Sequence, residues 1–194
     1  PEADQHLLAD LVIRRRQIVQ MIASERQRAQ RRTEPRVQRS IARLVAALEK
    51  ELAELDREID DQIRGSPAWR EADDLLRSVP GVGPVVARTL LAELPELGRL
   101  GRREIAALAG LAPWTRQSGQ WRGKSFIGGG RPAARTILFT AAMIAARYNP
   151  PLKAFRDRLV DAGKPKMVAI VAVARKLLTI LNAMLRDKTS WQNA

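Results

Sequence analysis

Apolar residues recur at Leu7, Leu11, Ile18 and Ile22, with Arg14, Arg15, Arg16, Arg26 and Arg28 between them. That spacing predicts an amphipathic helix over residues 5–32. Thr33, Glu34 and Pro35 interrupt it, and proline disfavours helix at the residue before it. A second helix is predicted over 36–64. There Ile41, Val45, Leu48, Leu52, Leu55 and Ile59 follow one another at alternating steps of four and three, with Val45, Leu52 and Ile59 in a-type and Ile41, Leu48 and Leu55 in d-type positions. This heptad seam lasts about three repeats. The break between the helices predicts an antiparallel helical hairpin, or coiled coil. Two helices bury little core alone, so the seam can be filled within the hairpin or by another protomer, and the reading favours a homo-oligomer through this region.

Gly65, Ser66 and Pro67 punctuate the chain and set the expected boundary between a hairpin at 1–66 and a compact domain at 67–194. Helices are predicted there at 70–78, 84–94, 102–109, 132–147, 151–162 and 165–186, so the expected fold class is all-α. Residues 112–130 stand apart, with Pro113, Gly119, Gly123, Gly128, Gly129 and Gly130, and Trp114, Trp121 and Phe126 among them; they read as a loop with room for a short hairpin.

Charge narrows the partners. The 194 residues carry 34 Lys and Arg against 21 Asp and Glu, a formal net charge of +13. Such a balance points to a polyanion, and nucleic acid is the commonest one. There is no cysteine and one histidine, His6. Disulfides, thiolate zinc sites and a cysteine nucleophile are therefore excluded, a single histidine speaks against a multi-His metal site and a Ser/His triad, and the composition fits a reducing cytoplasm. No apolar run is read as approaching the roughly 18 residues that span a bilayer, and the N-terminus is too polar for a signal peptide, so no membrane partner is expected. The chain begins at Pro1 without an initiator Met and reads as a piece of a longer protein or a processed one.

Two motifs carry candidate chemistry. Residues 75–94, LLRSVPGVGPVVARTLLAEL, place the turn Pro80-Gly81-Val82-Gly83-Pro84 between helical stretches. Glycine allows close backbone approach, and Pro84 suits a first helical turn, whose N–H groups can point at a phosphate. Leu75, Leu76, Val79, Val82, Val86 and Leu90 would form the shared core. The segment resembles a helix-hairpin-helix DNA-binding motif, in which Gly81, Gly83 and Arg88 would meet the backbone without reading sequence. The alternative is an ordinary glycine corner between packed helices. The second motif, residues 111–131, sets Ser118-Gly119 among Arg116, Arg122, Lys124 and Arg131. A serine that attacks a phosphodiester must be exposed, flanked by cations and able to lose its proton. No histidine is near, so a carboxylate, water or metal-bound group would take the proton. From spacing alone Ser118 reads first as a turn residue and the cations as phosphate binders. Gly128-Gly129-Gly130-Arg131, before a helix with Arg135, reads either as an anion cradle or as a turn between packed helices. Arg175 and Lys176 sit on an otherwise apolar helix as a snorkelling edge. Trp114 and Trp121 are candidates for base stacking, whereas Trp69 and Trp191 read as packing residues.

The ordered set VPGVGPVVARTLLAELPELG, LAGLAPWTRQSGQWRG, GGGRPAARTILF, RYNPPLKAFRDRL and GKPKMVAIVAVARKLLTILNAML resembles the C-terminal transposase domain of the insertion sequence 110 (116/110/902) family, covering nearly all of 70–192. The preceding helices look like that family's coiled-coil region. The resemblance implies a bacterial cytoplasmic recombinase whose serine, matching Ser118, attacks DNA and forms a transient phosphoserine link. It implies a composite site completed by an N-terminal RuvC-like domain with metal-binding carboxylates, and hence Mg2+, together with a structured guide RNA in some members. No RuvC-like order of acidic residues is found in this sequence, so that half is read as missing, no cofactor is expected in this piece, and its activity alone is left open. Two other readings stay open beside it. One is a non-catalytic module that dimerises and holds DNA or RNA backbone, and the other is a helical scaffold or regulator.

Overall fold

The structure, a computed structural model, describes residues 2–31, 34–118 and 121–192, and the side chains of Glu2 and of 114–125 fall outside that description. The chain divides into two compact units, Pro1–Pro67 and Ala68–Ala194.

The first unit holds two helices, α1 (Glu2–Gln30) and α2 (Pro35–Gly65), which pack on each other. The Glu34 carboxylate accepts from the Arg36 N–H at 3.3 Å, and Pro35 follows in the first turn, where its missing N–H costs nothing. Ile18, Ile22, Leu48 and Leu55 form a buried cluster flanked by Leu11, Val45 and Leu52. Arg15 pairs with Asp56 at 2.7 Å and Arg26 with Glu49 at 2.5 Å. As the number rises along α1 its partner's number falls along α2, so the two helices run in opposite directions.

The second unit contains α3 (Pro67–Arg77), α4 (Pro84–Glu93), α5 (Arg102–Leu108), α6 (Pro132–Tyr148), α7 (Pro150–Asp161) and α8 (Lys166–Asp187). The centre is α6, which packs against α4, α7 and α8. Its inward positions are small: Ala134, Ala141, Ala142, Ala145 and Ala146 are fully buried beside Leu138. Alanine at a contact lets neighbouring backbones come close. Larger side chains fill the rest of the core, with Leu152, Leu177, Leu178 and Leu181 fully buried. Among the described residues, α8 is the one helix long and apolar enough to cross a membrane by length and composition, which corrects the reading that no run comes near that length. Arg175 and Lys176 interrupt it, and Ala169, Val173, Ala174, Leu177, Leu178 and Leu181 are buried in a unit where α8 packs on α5, α6 and α7. A helix buried along one face in this way packs as a core helix of a folded unit.

Within 112–130 lies the short hairpin for which the sequence left room, β1 (Pro113–Ser118) antiparallel to β2 (Trp121–Ile127), so the fold is helical apart from this one two-stranded ribbon. Its glycines suggested a loop, but Trp, Thr, Phe and Ile interleaved with polar residues favour a pleated, half-exposed ribbon. Helix ends also differ by up to three residues from the predicted ones; α3 starts at Pro67 because proline is well suited to a first turn.

The turn between α4 and α5 has no regular structure of its own and is held by one buried side chain. Asn182 of α8 is 2% exposed. Its Oδ1 accepts from the Gly98 N–H at 2.8 Å, and its Nδ2 donates to the Leu100 carbonyl at 2.9 Å. Gly98 has φ +86, and a Cβ there would lie 3.0 Å from that of Leu185. We expect Asn182→Ala to lose about 1–3 kcal/mol by urea denaturation with an unchanged m-value, because two half-buried backbone groups lose their partner and a buried amide side chain is removed. Unchanged stability would show that the turn is held by other contacts.

Candidate nucleic-acid interface

The corner between α3 and α4 separates its two glycines by role. Leu76, Val79, Val82, Val86 and Leu90 are buried and join the two helices, with Leu75 half-buried. The Val82 N–H donates to the Val79 carbonyl at 2.9 Å and closes the turn. Gly81 has φ +104, and a Cβ there would sit 2.7–2.8 Å from Ala145 backbone and side-chain atoms of α6. A side chain at this position would collide with α6, so packing requires glycine here. Gly83 is different. It is exposed, its backbone is extended at φ −90 and ψ 177, and a Cβ would meet nothing within 4 Å. It caps α4, whose first backbone bond is Ala87 N–H to the Gly83 carbonyl at 3.0 Å. The N–H groups of Val85 and Val86 therefore have no partner inside the helix, as at any helix start, and no acidic residue occupies the first turn. Arg88 lies half-buried one turn further on.

The hairpin presents Ser118 at the last position of β1, paired with Trp121 across the turn. Arg116 also belongs to β1, whereas Arg122 and Lys124 belong to β2. The register slips between Thr115 and Gln117, where β2 carries one residue more than β1, as in a β-bulge. The structure thus brings Ser118 and three of the predicted cations onto one ribbon. Gly119 lies outside the described residues, as do the side chains of Ser118, Arg116, Arg122 and Lys124.

Both feet of the ribbon are fixed on α5 and its exit. On the way in, the N–H groups of Leu111 and Ala112 donate to the Ala106 carbonyl at 2.8 and 3.1 Å. On the way out, Gly129 and Gly130 have φ +66 and +60, and Gly110 on the facing turn has φ +68. A Cβ on Gly130 would collide with the Gly110 N and the Leu108 carbonyl, and one on Gly110 with the Gly129 carbonyl. The Arg131 N–H donates to the Leu108 carbonyl at 2.8 Å. This glycine run is an interlocked turn, which replaces the open anion cradle considered above.

Arg131 and Arg135 take part in the same joint. The Arg131 guanidinium donates to both Glu96 oxygens, at 2.6 and 2.7 Å, and to the Glu93 carbonyl at 2.6 Å. Arg135 donates to the Gly129 carbonyl at 2.6 Å. Both arginines thus help to hold the joint. The hydrogen bonds from Arg131 hold the Glu96 carboxyl below its ordinary range against a smaller opposing effect of burial, and Glu96 in turn raises Arg131. Glu96 was missed from sequence because its partner is 35 residues away and no local pattern links them. Among the described residues no group of three or more His, Asp or Glu is placed to hold a metal ion.

Residues 73–157, which contain the α3–α4 corner, the whole hairpin and its joint, match the model of the family described as transposase IS116/IS110/IS902. The chain is 34% identical over 141 residues to the pilin gene-inverting protein of Moraxella bovis, covering 70% of this chain and 44% of that protein. It is 31% identical over 161 residues to a 42 kDa protein of insertion element IS900 from Mycobacterium paratuberculosis, covering 79% and 38%. A 43.6 kDa protein of insertion element IS110 from Streptomyces coelicolor is 28% identical over 156 residues, again covering 79% and 38%. Through this segment the chain belongs to the IS116/IS110/IS902 transposase family. The chain spans less than half the length of these curated relatives. The family segment opens at Asp73 inside α3 and closes at Asp157 inside α7, so it takes in both candidate contact surfaces of this transposase-family unit.

Two measurements separate packing from contact. Gly81→Ala should destabilise the unit by at least about 1 kcal/mol through strain and collision, whereas Gly83→Ala should leave Tm within about 2 °C. Equal losses would mean that Gly83 is also a packing residue. The Glu96–Arg131 pair should be visible in the pH dependence. Because Glu96 ionises more readily when folded, its contribution is complete above the ordinary value of 4.5 and is lost as pH falls through the lowered folded value. Glu96→Gln should therefore lower Tm by roughly 2–4 °C at pH 7, as for a solvent-screened pair, and the gap to wild type should close under acid. A gap that stays constant down to pH 3 would exclude the ion pair as its source.

Proposed function

We propose that this chain is the DNA-handling part of a transposase in which Ser118 supplies the nucleophile for strand cleavage and rejoining. The observation that carries the reading is the place of Ser118. It ends β1 of a ribbon whose strands also bear Arg116, Arg122 and Lys124, inside the segment that matches the transposase family. Cations on the same ribbon suit the charge that develops on a phosphodiester under attack. In the proposed step the serine oxygen bonds to phosphorus as the bond to the leaving deoxyribose oxygen breaks. The leaving oxygen gains a proton, the serine proton passes to a base, and reversal of the step on a new strand end rejoins DNA. The α3–α4 corner acts as a helix-hairpin-helix contact, with the free N–H groups above Gly83 on a backbone phosphate and Arg88 nearby, and Gly81 sets the geometry from behind. Names of relatives that refer to insertion elements and gene inversion support DNA as the substrate.

The metal chemistry that the family resemblance implies is assigned in this proposal to a RuvC-like domain. A structured guide RNA belongs to the same proposal for the full protein. The antiparallel α1–α2 hairpin is proposed as a coiled-coil dimerisation element. In support, Leu7, Ile13, Val19, Met21, Val37 and Leu44 remain exposed apolar positions after the two helices have paired. A second reading, a binding module without chemistry, shares every one of these contacts except the attack by Ser118.

The full-length transposase with Ser118→Ala separates the two. Under the proposal, the covalent DNA adduct trapped by denaturation disappears and strand transfer falls by at least about a thousandfold, while duplex affinity stays within threefold. An adduct that persists in the variant would remove Ser118 from the nucleophile role.

A further inference from the structure

The α1–α2 hairpin is electrically polarised along its length. From residue 26 to 43, around the helix-to-helix turn, the sequence holds seven arginines, no lysine and one glutamate. From 49 to 61, in the half of α2 remote from that turn, it holds seven acidic residues and two basic ones. Packing changes at the same point. Between residues 23 and 47 none of the described side chains is fully buried, whereas Ile18, Ile22, Leu48 and Leu55 form the cluster just below. The tip is thus a stem that stands out beyond its own core and carries cations at its end.

Those cations are available. Arg26 pairs with Glu49, and Arg28 with Glu25. Arg31, Arg36, Arg39 and Arg43 are exposed, and no carboxylate is within ion-pair distance of them among the described residues. On α2, Arg36, Arg39 and Arg43 are spaced three and four apart and share one face, extending over about 10 Å of helix axis. That matches about three phosphate steps of one B-form strand. Exclusive use of arginine suits forked hydrogen bonding to phosphate oxygens, which lysine cannot make. There is no Phe, Tyr or Trp before residue 69, so the tip offers no platform for unpaired bases, and its chemistry fits the outside of a duplex.

We propose that the arginine tip of the α1–α2 hairpin is a second DNA contact, which holds duplex backbone through Arg31, Arg36, Arg39 and Arg43. It rests on the DNA reading above but not on Ser118 or on the α3–α4 corner. It fixes position without reading sequence, and it lies in the unit that the family match at 73–157 does not include.

The test measures binding of the 194-residue chain to a 30-base-pair DNA duplex across a salt series. The tip variant replaces Arg31, Arg36, Arg39 and Arg43 with Gln. The control removes the same charge from exposed positions elsewhere in the unit, Arg14, Lys50, Arg57 and Arg64. Circular dichroism checks helicity, and the double variant R36Q/R39Q serves if the fourfold change unfolds the stem. The tip variant should lower the slope of log affinity against log salt by about 2–3.5 and weaken binding at least tenfold, the double variant by about half as much in slope, and the control by less than 1. Substituting the four residues with Lys should retain most of the slope. Equal losses in tip and control variants would overturn the proposal, as would no loss in either. Loss confined to an RNA duplex of the same length would overturn the DNA assignment. Loss of self-association by sedimentation at low salt, with DNA binding intact, would place the tip on the acidic half of a second copy and overturn it too. Wild-type chain that binds no DNA duplex would bring down the functional reading as a whole, whereas binding that the tip variant leaves unchanged would bring down the tip alone.

Discussion

The joint at the foot of the β-hairpin is the constraint on which the candidate site depends. Two turns, at Gly110 and at Gly129-Gly130, approach so closely that neither can carry a side chain, and all three glycines have positive φ. A two-stranded ribbon has almost no core and is marginal by itself in water. Here its ends are tied by backbone hydrogen bonds to Ala106 and Leu108, and Arg131 ties the exit to Glu96 and the Glu93 carbonyl. These ties fix where the two strands leave the helical unit.

The same logic connects the joint to the core. Glu96 lies in the irregular turn that Asn182 of α8 holds through Gly98 and Leu100. Asn182 sits on a helix whose neighbours Leu178 and Leu181 are fully buried. A chain of contacts therefore runs from α8 to Asn182, to the turn, to Glu96, to Arg131 and to the hairpin. Each contact is modest in free energy, since single hydrogen bonds and half-exposed ion pairs contribute about 1 kcal/mol or less. Their value lies in fixing direction. The α3–α4 corner is placed by a different constraint, the contact of Gly81 with Ala145, which works because α6 presents alanines on its inner face.

Charge is distributed by role in this transposase-family chain. Arg131 and Arg135 hold the joint, Arg15 and Arg26 bridge α1 and α2, and these cations are internal to the protein's own structure. The large positive excess therefore overstates the number of cations offered to a partner. Exposed cations remain at the hairpin tip in the first unit and at Arg99, Arg102, Arg103, Lys153 and Lys164 in the second, where the helix start above Gly83 also offers N–H groups.

Hydrophobic periodicity located the helices, because burial of one face imposes a 3.6-residue repeat that any amphipathic helix must show. Ile18, Ile22, Leu48 and Leu55 were legible in this way, as were Leu76, Val79, Val82, Val86 and Leu90. The resemblance at Ser118 and the glycine corner was legible too, because these are local strings. The strands were legible only as a loop with room for a short hairpin, because glycine at 119, 123 and 128–130 masked a short alternation of aromatic and β-branched residues with polar ones. Nor could the sequence separate the two glycines of one turn, or show that Arg131 faces inward. Gly81 and Gly83 look alike as letters, and only the approach of Ala145, 64 residues later, makes one a packing residue and leaves the other open. Arg131 reads as a free cation until Glu96 is brought to it. What the sequence determined by itself was what depends on near neighbours: helix faces, turns, overall charge and motif strings. What the tertiary structure decided was which polar groups remain free to meet a partner, because that depends on residues far apart in the chain competing for the same donors and the same space.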